Sequence, residues 1–163
     1  MAFSELSITS NFTFLTGGSH PEEYARRATE LGLDAFAIAD WNSVAGIVRA
    51  HTELKLIREE IEEARAYAEG EKSGASTLAY SFAPDTVVPR LLPAARIVTN
   101  QGLEAVALPR NREGWGRLCR LLTVGRRRAE KGECCLDVAD LLEWGEEMEL
   151  ILHPGGDVAD LRA

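Results

Sequence analysis

The sequence predicts an α/β fold assembled from parallel strand–helix–strand units. Three observations carry that expectation. Apolar runs of strand length alternate with longer segments of helical period in the first part of the chain, an order that favours parallel strands joined by helical crossovers. The run Asp34 to Ala39 (DAFAIA) is apolar almost throughout, as a strand covered on both faces is. The helical segments carry their own start and stop marks: residues suited to capping at one end and glycine at the other.

Phe3 to Thr9 reads as the first strand, and Ser10 to Gly18, rich in hydroxyls and glycine, as a loop. Ser19 and Glu22 have the spacing of a capping box, with Pro21 in the first turn. Tyr24, Ala28 and Leu31 then repeat at helical spacing up to Gly32. After the strand at Asp34 to Ala39 comes a DWNS loop and a second helix from about Val44 to Glu69. Its apolar beginning gives way to a charge-rich stretch with many i,i+4 pairs, read as a solvated face or, alternatively, as a partner-binding surface.

Gly70 to Ser76 is expected to be a polar loop. Thr77 to Phe82 and Arg96 to Thr99 read as strands on either side of a segment punctuated by Pro84, Pro89 and Pro93. Asn100 to Gly102 forms a turn, so Arg96 to Thr99 and Leu103 to Leu108 can pair as a hairpin. Asn111 caps a helix with Trp115, Leu118, Cys119 and Leu122 inward, and Asp137 caps a short helix that stops at Gly145. Glu149 to His153 is a last strand. The chain ends soon after it, where an α/β unit would continue into a helix, so a truncated domain is expected.

The 163 residues suffice for one domain with a hydrophobic core. Eighteen Lys and Arg against 26 Asp and Glu give a net charge of −8, the opposite of a chain that grips phosphate backbones unaided. No apolar run approaches the roughly 20 residues of a membrane-spanning helix, and the N-terminus lacks the pattern of a signal peptide. Cys119, Cys134 and Cys135 make an odd and partly adjacent set, a poor disulfide framework that points to a reducing cytoplasm.

Two stretches carry more information. SELSITSNFTFLTGGSHPEE and LGLDAFAIADWNSVAG share the frame of the PHP (polymerase and histidinol phosphatase) superfamily. That frame is a strand ending in His-x-His, a loop closing on glycine, a Pro-Glu-Glu helix, and a second strand ending in a Thr-Asp-His-Asn-like motif. The run from Gly116 to Trp144, with SNFTFLTGGSHPEE and NSVAGIVRAH, resembles error-prone C-family DNA polymerases, relatives of the bacterial DNA polymerase III alpha subunit from damage-inducible mutagenesis systems. The matching stretches run from Ser4 to about Pro154, with Gly70 to Pro93 the least alike.

The resemblance implies an incomplete PHP-type, seven-stranded β/α barrel, with residues 1–163 as its N-terminal part and the last strands, the palm and the fingers beyond it. It implies a parent polymerase in translesion synthesis and DNA repair, whose palm would use magnesium, and no cofactor in this part. It implies as partners the rest of the polymerase chain, DNA, accessory mutagenesis proteins and a sliding clamp, with no membrane. A barrel cut part-way leaves strand edges unpaired, so the chain is expected to self-associate through them.

An active PHP site holds two or three metal ions with histidines and carboxylates. Where the resemblance places those ligands, this sequence has Ser7 and Thr9, then Thr16, Trp41 and Arg96. Hydroxyls are weak ligands, indole is not one, and a guanidinium repels a cation. Asp40 remains, read as a cap for the NSVAG turn or the following helix, or as a leftover catalytic acid. The expectation is therefore a structural PHP domain. Its alternatives are a working metal-dependent phosphoesterase (a 3′-5′ exonuclease or pyrophosphatase) and a module recruiting accessory proteins through the acidic helix.

His20, His51 and His153 are scattered, and Glu133, Cys134 and Cys135 lack the second pair a zinc site needs. Arg126, Arg127, Arg128 and Lys131 are the one concentrated basic patch. It reads as a helix end favoured by the macrodipole or as a contact for DNA or a neighbouring domain.

Overall fold

The structure, a computed structural model, describes residues 3–70 and 80–153. In chain order its elements are β1 (Ser4–Ile8), α1 (Pro21–Glu30), β2 (Ala35–Ile38), α2 (Ala45–Ala68), β3 (Arg90–Pro93), β4 (Ala95–Val98), β5 (Glu104–Pro109), α3 (Arg112–Arg128), α4 (Val138–Trp144) and β6 (Met148–His153). The strands form two three-stranded sheets, β1-β2-β3 and β4-β5-β6. The first is parallel and the second antiparallel.

The two sheets are continuous through their backbones. The offset that pairs Ala35 with Arg90 and Ile38 with Pro93 also pairs Trp41 with Arg96 in an isolated parallel bridge. Arg96 N–H donates to the Asp40 carbonyl at 3.0 Å, and Asn42 N–H donates to the Arg96 carbonyl at 2.8 Å. Residues 90–98 thus act as one strand that runs beside β2 and then turns into the β4–β5 hairpin. Among the described residues the sheet does not close, so the α/β class holds while the barrel is not seen. β1 and β6 each keep an outer edge with no strand beside it among those residues.

Side-chain alternation sorts the core. Phe36 and Ile38 of β2 point to one face, where Ala25 and Ala28 of α1 and Ala50, Leu54, Ile57 and Ile61 of α2 cover them. Ala95 and Ile97 of β4 and Ala107 of β5 meet Leu118, Leu121 and Leu122 of α3 and Leu141 of α4. On the other face Ala37, Ala39, Ala94 and Val106 lie together with Leu6, Leu92 and Leu108 partly covered. Burying side chains this large at near-zero exposure is the main stabilising term, on the order of 1.5–3 kcal/mol each relative to exposure.

Several expectations shift. The cap of α1 is His20, whose backbone N–H donates to Glu23 Oε2 at 2.6 Å, one residue later than the Ser19–Glu22 pair. The spacing was right; Pro21 sits at N1, the position its missing N–H favours, and that sets the register. The strand expected at Thr77 to Phe82 is absent at Tyr80 to Phe82, and its first three residues, like most of the Gly70 to Ser76 loop, lie outside the described residues. So does the tail after His153. A strand appears instead at β3, ending on Pro93. Proline is tolerated there because it stands at the break between β3 and β4, where the ladder is interrupted. The hairpin, with Gly102 at φ +82 in its turn, forms as expected, as do the Asn111 cap, whose side chain accepts from Gly114 N–H, and the helices α3 and α4.

Candidate functional site

The region where a barrel would carry its chemistry lies at the C-terminal ends of β1, β2 and β4, on the face that holds Ala39 and Ala94. Asp40 is the second residue after β2 and is 1% exposed. Its Oδ1 accepts from Ser10 N–H at 2.8 Å and from the Thr13 hydroxyl at 2.9 Å, and its Oδ2 accepts from the Ser10 hydroxyl at 2.8 Å. The Thr13 hydroxyl oxygen in turn accepts from Trp41 N–H at 3.0 Å. A carboxylate out of water needs such donors, and these are charge-assisted.

Asp40 therefore caps neither the NSVAG turn nor α2 with its side chain. It pins the Ser10–Gly17 loop to the end of β2. Close packing continues behind it: a Cβ added at Gly46 would lie 2.8 Å from Asp40 Oδ2. The start of α2 is served by Ser43, whose hydroxyl accepts from Ala45 N–H at 3.2 Å.

Arg96 alternates onto the same face. Its Nη2 donates to Ser7 Oγ at 2.9 Å, and its Nη1 lies 4.0 Å from Glu104 Oε2. The guanidinium side chain is only 15% exposed. Two of the ligand positions that the resemblance assigns, far apart in sequence, are thus in direct contact, one as a fixed cation and the other as its acceptor. Trp41 sits beside Arg96 through the isolated bridge, its ring half exposed. Thr9 offers its carbonyl to the Tyr24 hydroxyl at 3.1 Å. Thr16 is exposed on the loop, its N–H bonded to the Thr13 carbonyl at 3.1 Å.

None of these five side chains is a carboxylate, imidazole or thiolate, and a guanidinium within the group repels a metal ion. The donor set does not fit the metals of the PHP superfamily. Among the described residues no three His, Cys, Asp or Glu side chains converge as a metal site would require. His20 serves the α1 cap, His51 is exposed on α2, and His153 pairs across the ladder with Glu104. Burial pushes the Cys134 thiol up, keeping it protonated near neutrality.

The basic patch divides. Arg126 Nη2 donates to the Asn42 carbonyl at 3.0 Å, bracing the end of α3 against the β2–α2 turn. Arg128 Nη1 pairs with Asp140 Oδ2 at 2.6 Å and is consumed by α4. Arg127 and Lys131 are exposed. The hydrogen bond from Arg128, with a second from Asp137 N–H, holds the Asp140 carboxyl below the usual carboxylate range.

The sequence reading missed Asn42. It adopts φ +46, a left-handed conformation asparagine tolerates. Its amide brackets β4, donating to the Val98 carbonyl at 3.1 Å and accepting from Val98 N–H at 3.0 Å. The signal was present: an Asn between a strand and a helix start is a turn former with a side chain that mimics backbone.

With the geometry established, comparison with known proteins adds family context. No family model matches the chain. Curated relatives named error-prone DNA polymerase do. The protein of Ruegeria pomeroyi is 48% identical across 96% of this chain, that of Rhodopseudomonas palustris (strain BisB5) 42% across 94%, and error-prone DNA polymerase 1 of Rhizobium meliloti 42% across 94%. The chain spans only 11–15% of the length of those three. A solved structure from Bifidobacterium adolescentis, provisionally described as a metal-dependent phosphoesterase, overlaps 76% of this chain and 33% of its own at 16% identity, with a TM-score of 0.45. An overlap that loose fixes neither the fold nor the chemistry of this chain.

Two outcomes follow from the geometry. Asp40→Ala leaves the Ser10 and Thr13 donors unpaired, so it destabilises the chain by about 2–4 kcal/mol. It also speeds hydrogen exchange at the Ser10 and Trp41 amides relative to those of α3; unchanged protection at both amides would contradict the pinning role. Arg128→Met tests the depressed Asp140. A lowered folded-state pKa contributes stability above the unfolded value, about 3.9, and loses it as pH falls through the folded value. The stability gap between parent and variant in urea melts is therefore full at neutral pH and closes below about pH 4; a gap that persists in acid would show that Asp140 is not its source.

Proposed function

We propose that this chain, homologous to the N-terminal region of the error-prone DNA polymerases, is a structural PHP-type domain without phosphoesterase activity. The single observation that supports this most is Arg96. Its guanidinium, fixed by Ser7 and lying near Glu104, stands at a position where the family resemblance expects a metal ligand. A positive charge is retained there, and with it the need to balance Glu104, but it is covalently held and cannot activate water. The scaffold survives because the Asp40 network holds the β1 loop and the β2 end together without any metal.

On this reading the parent is a DNA-directed DNA polymerase of translesion synthesis and repair. Its nucleotide-adding site, with magnesium, belongs to segments other than this one, and contacts to DNA, accessory mutagenesis proteins and a sliding clamp are made by the whole protein. The open edges of β1 and β6 are where this domain would meet the rest of the polymerase chain, or a second copy when that chain is lacking. No described helix is long and apolar enough to cross a membrane, which suits a cytoplasmic enzyme.

Hydrolysis assays test the proposal. With manganese added, the chain is expected to release no more phosphate from pyrophosphate, and no more nucleotide from a DNA 3′ end, than manganese alone. Turnover that rises with protein concentration and is abolished by EDTA would return the phosphoesterase reading.

A further inference from the structure

The loop between β1 and α1 carries an apolar tip that the structural role proposed above leaves without a purpose. Phe14 and Leu15 are 84% and 90% exposed. Leu15 also adopts φ +63, a left-handed conformation that a leucine disfavours. Strain of this kind, joined to an exposed apolar pair, marks a contact surface rather than a packing element.

The tip is held from behind. The Thr16 and Gly17 N–H groups both donate to the Thr13 carbonyl at 3.1 Å, and Thr13 N–H donates to the Ser10 carbonyl at 2.9 Å. Gly17 lies so close to the Ser10 carbonyl that a side chain there would collide with it. Asp40 in turn holds Ser10 and Thr13, so the loop loses little freedom when its tip is buried. No residue from Thr9 to Ser19 is charged. An apolar recess can therefore receive the tip without stranding an ion.

The same chain offers such a recess. Between the outer edge of β1 and α1 lies a groove of about 250 Å³, lined by Phe3, Ile8, Tyr24, Ala28, Leu31 and Leu33. Phe3 and Leu31 are 58% and 57% exposed. The Tyr24 hydroxyl donates to the Thr9 carbonyl, which fixes that wall. The volume lies below the range of small-molecule sites and suits one or two side chains. Glu5 and Arg27 also border the groove, but Glu5 accepts from Ser7 N–H and Arg27 is paired with Glu30. Neither calls for a charged ligand.

The tip follows the C-terminal end of β1, whereas Phe3, Leu31 and Leu33 mark the groove at the start of that strand. A chain therefore cannot fill its own groove. A second copy turned end for end can, because a two-fold axis beside β1 brings each tip level with the other's groove. We propose that two copies of this chain form a reciprocal dimer in which Phe14 and Leu15 of each enter the β1–α1 groove of the other. The paired contacts close on themselves, as two-fold interfaces do. This rests on the β1 edge being open to a second copy, as proposed above, and not on the loss of phosphoesterase activity.

Sedimentation equilibrium of the 163-residue chain across a concentration series tests it. A monomer–dimer equilibrium is expected. Phe14→Ser and Leu31→Ser, both at exposed positions, should each weaken it by about tenfold to a hundredfold, with thermal melts showing that each variant still folds. Mixing the two variants should restore an intermediate level of dimer, since one of the two contacts is then whole. Leu152→Lys, on the edge of β6, should leave the dimer unchanged. A dimer lost in Leu152→Lys but kept in Phe14→Ser overturns the proposal while preserving association through a strand edge. A chain that is monomeric at every concentration also overturns it, as does growth beyond two copies. A monomer that binds phosphatidylcholine vesicles through Phe14 overturns it in favour of a lipid surface. No metal or phosphate ester enters the experiment, so its outcome is separate from that of the hydrolysis assays.

Discussion

A carboxylate taken out of water must find donors in the protein, and at the end of β2 Asp40 finds three, all from the loop that follows β1. Much of the architecture depends on that. The loop carries Phe12, its Thr13 hydroxyl reaches on to the Trp41 amide, and Asp40's own carbonyl receives Arg96 N–H and so starts the junction between the two sheets. Gly46 belongs to the same constraint, because a side chain there would collide with the carboxylate. One buried charge thus fixes a loop, a strand end and the approach of a helix.

Around that anchor, on the proposed reading, a fixed cation stands where the family resemblance expects a metal ligand. A metal centre brings positive charge into a ring of carboxylates and imidazoles. Here the positive charge is Arg96, built into the chain, with a hydroxyl and one carboxylate as its company. A guanidinium can orient neighbours and screen Glu104, but it offers no open coordination position.

Most of the fold was legible in the residues. The alternation of apolar runs with capped helices gave the α/β order, and DAFAIA gave the fully buried β2. The hairpin followed from Asn100-Gln101-Gly102, where glycine supplies the positive φ of the turn. What was not legible had local physical causes. β3 was hidden because prolines on either side of Arg90-Leu91-Leu92 speak for a loop, while the ladder with β2 overrides them. The α1 cap moved one residue because two polar residues precede Pro21 and only geometry chooses between them.

The contacts that the site residues make were not legible in the sequence. Ser7, Thr9, Thr16, Trp41 and Arg96 are plainly not metal ligands in the sequence, yet nothing in it says that Arg96 reaches Ser7 across 89 positions. Asp40's partners are 27 to 30 positions away, so its role as a pin could not be read locally. Nor did the sequence show that two members of the basic patch are engaged within the fold, Arg128 by Asp140 and Arg126 by a carbonyl, while Arg127 and Lys131 stay exposed. The central claim is that a fixed guanidinium has replaced the metal ions. Elemental analysis by mass spectrometry addresses it most directly, using purified chain exposed to zinc and manganese and then freed of unbound ions. The account predicts far less than one ion per chain, and retention of one or more ions per chain would contradict it.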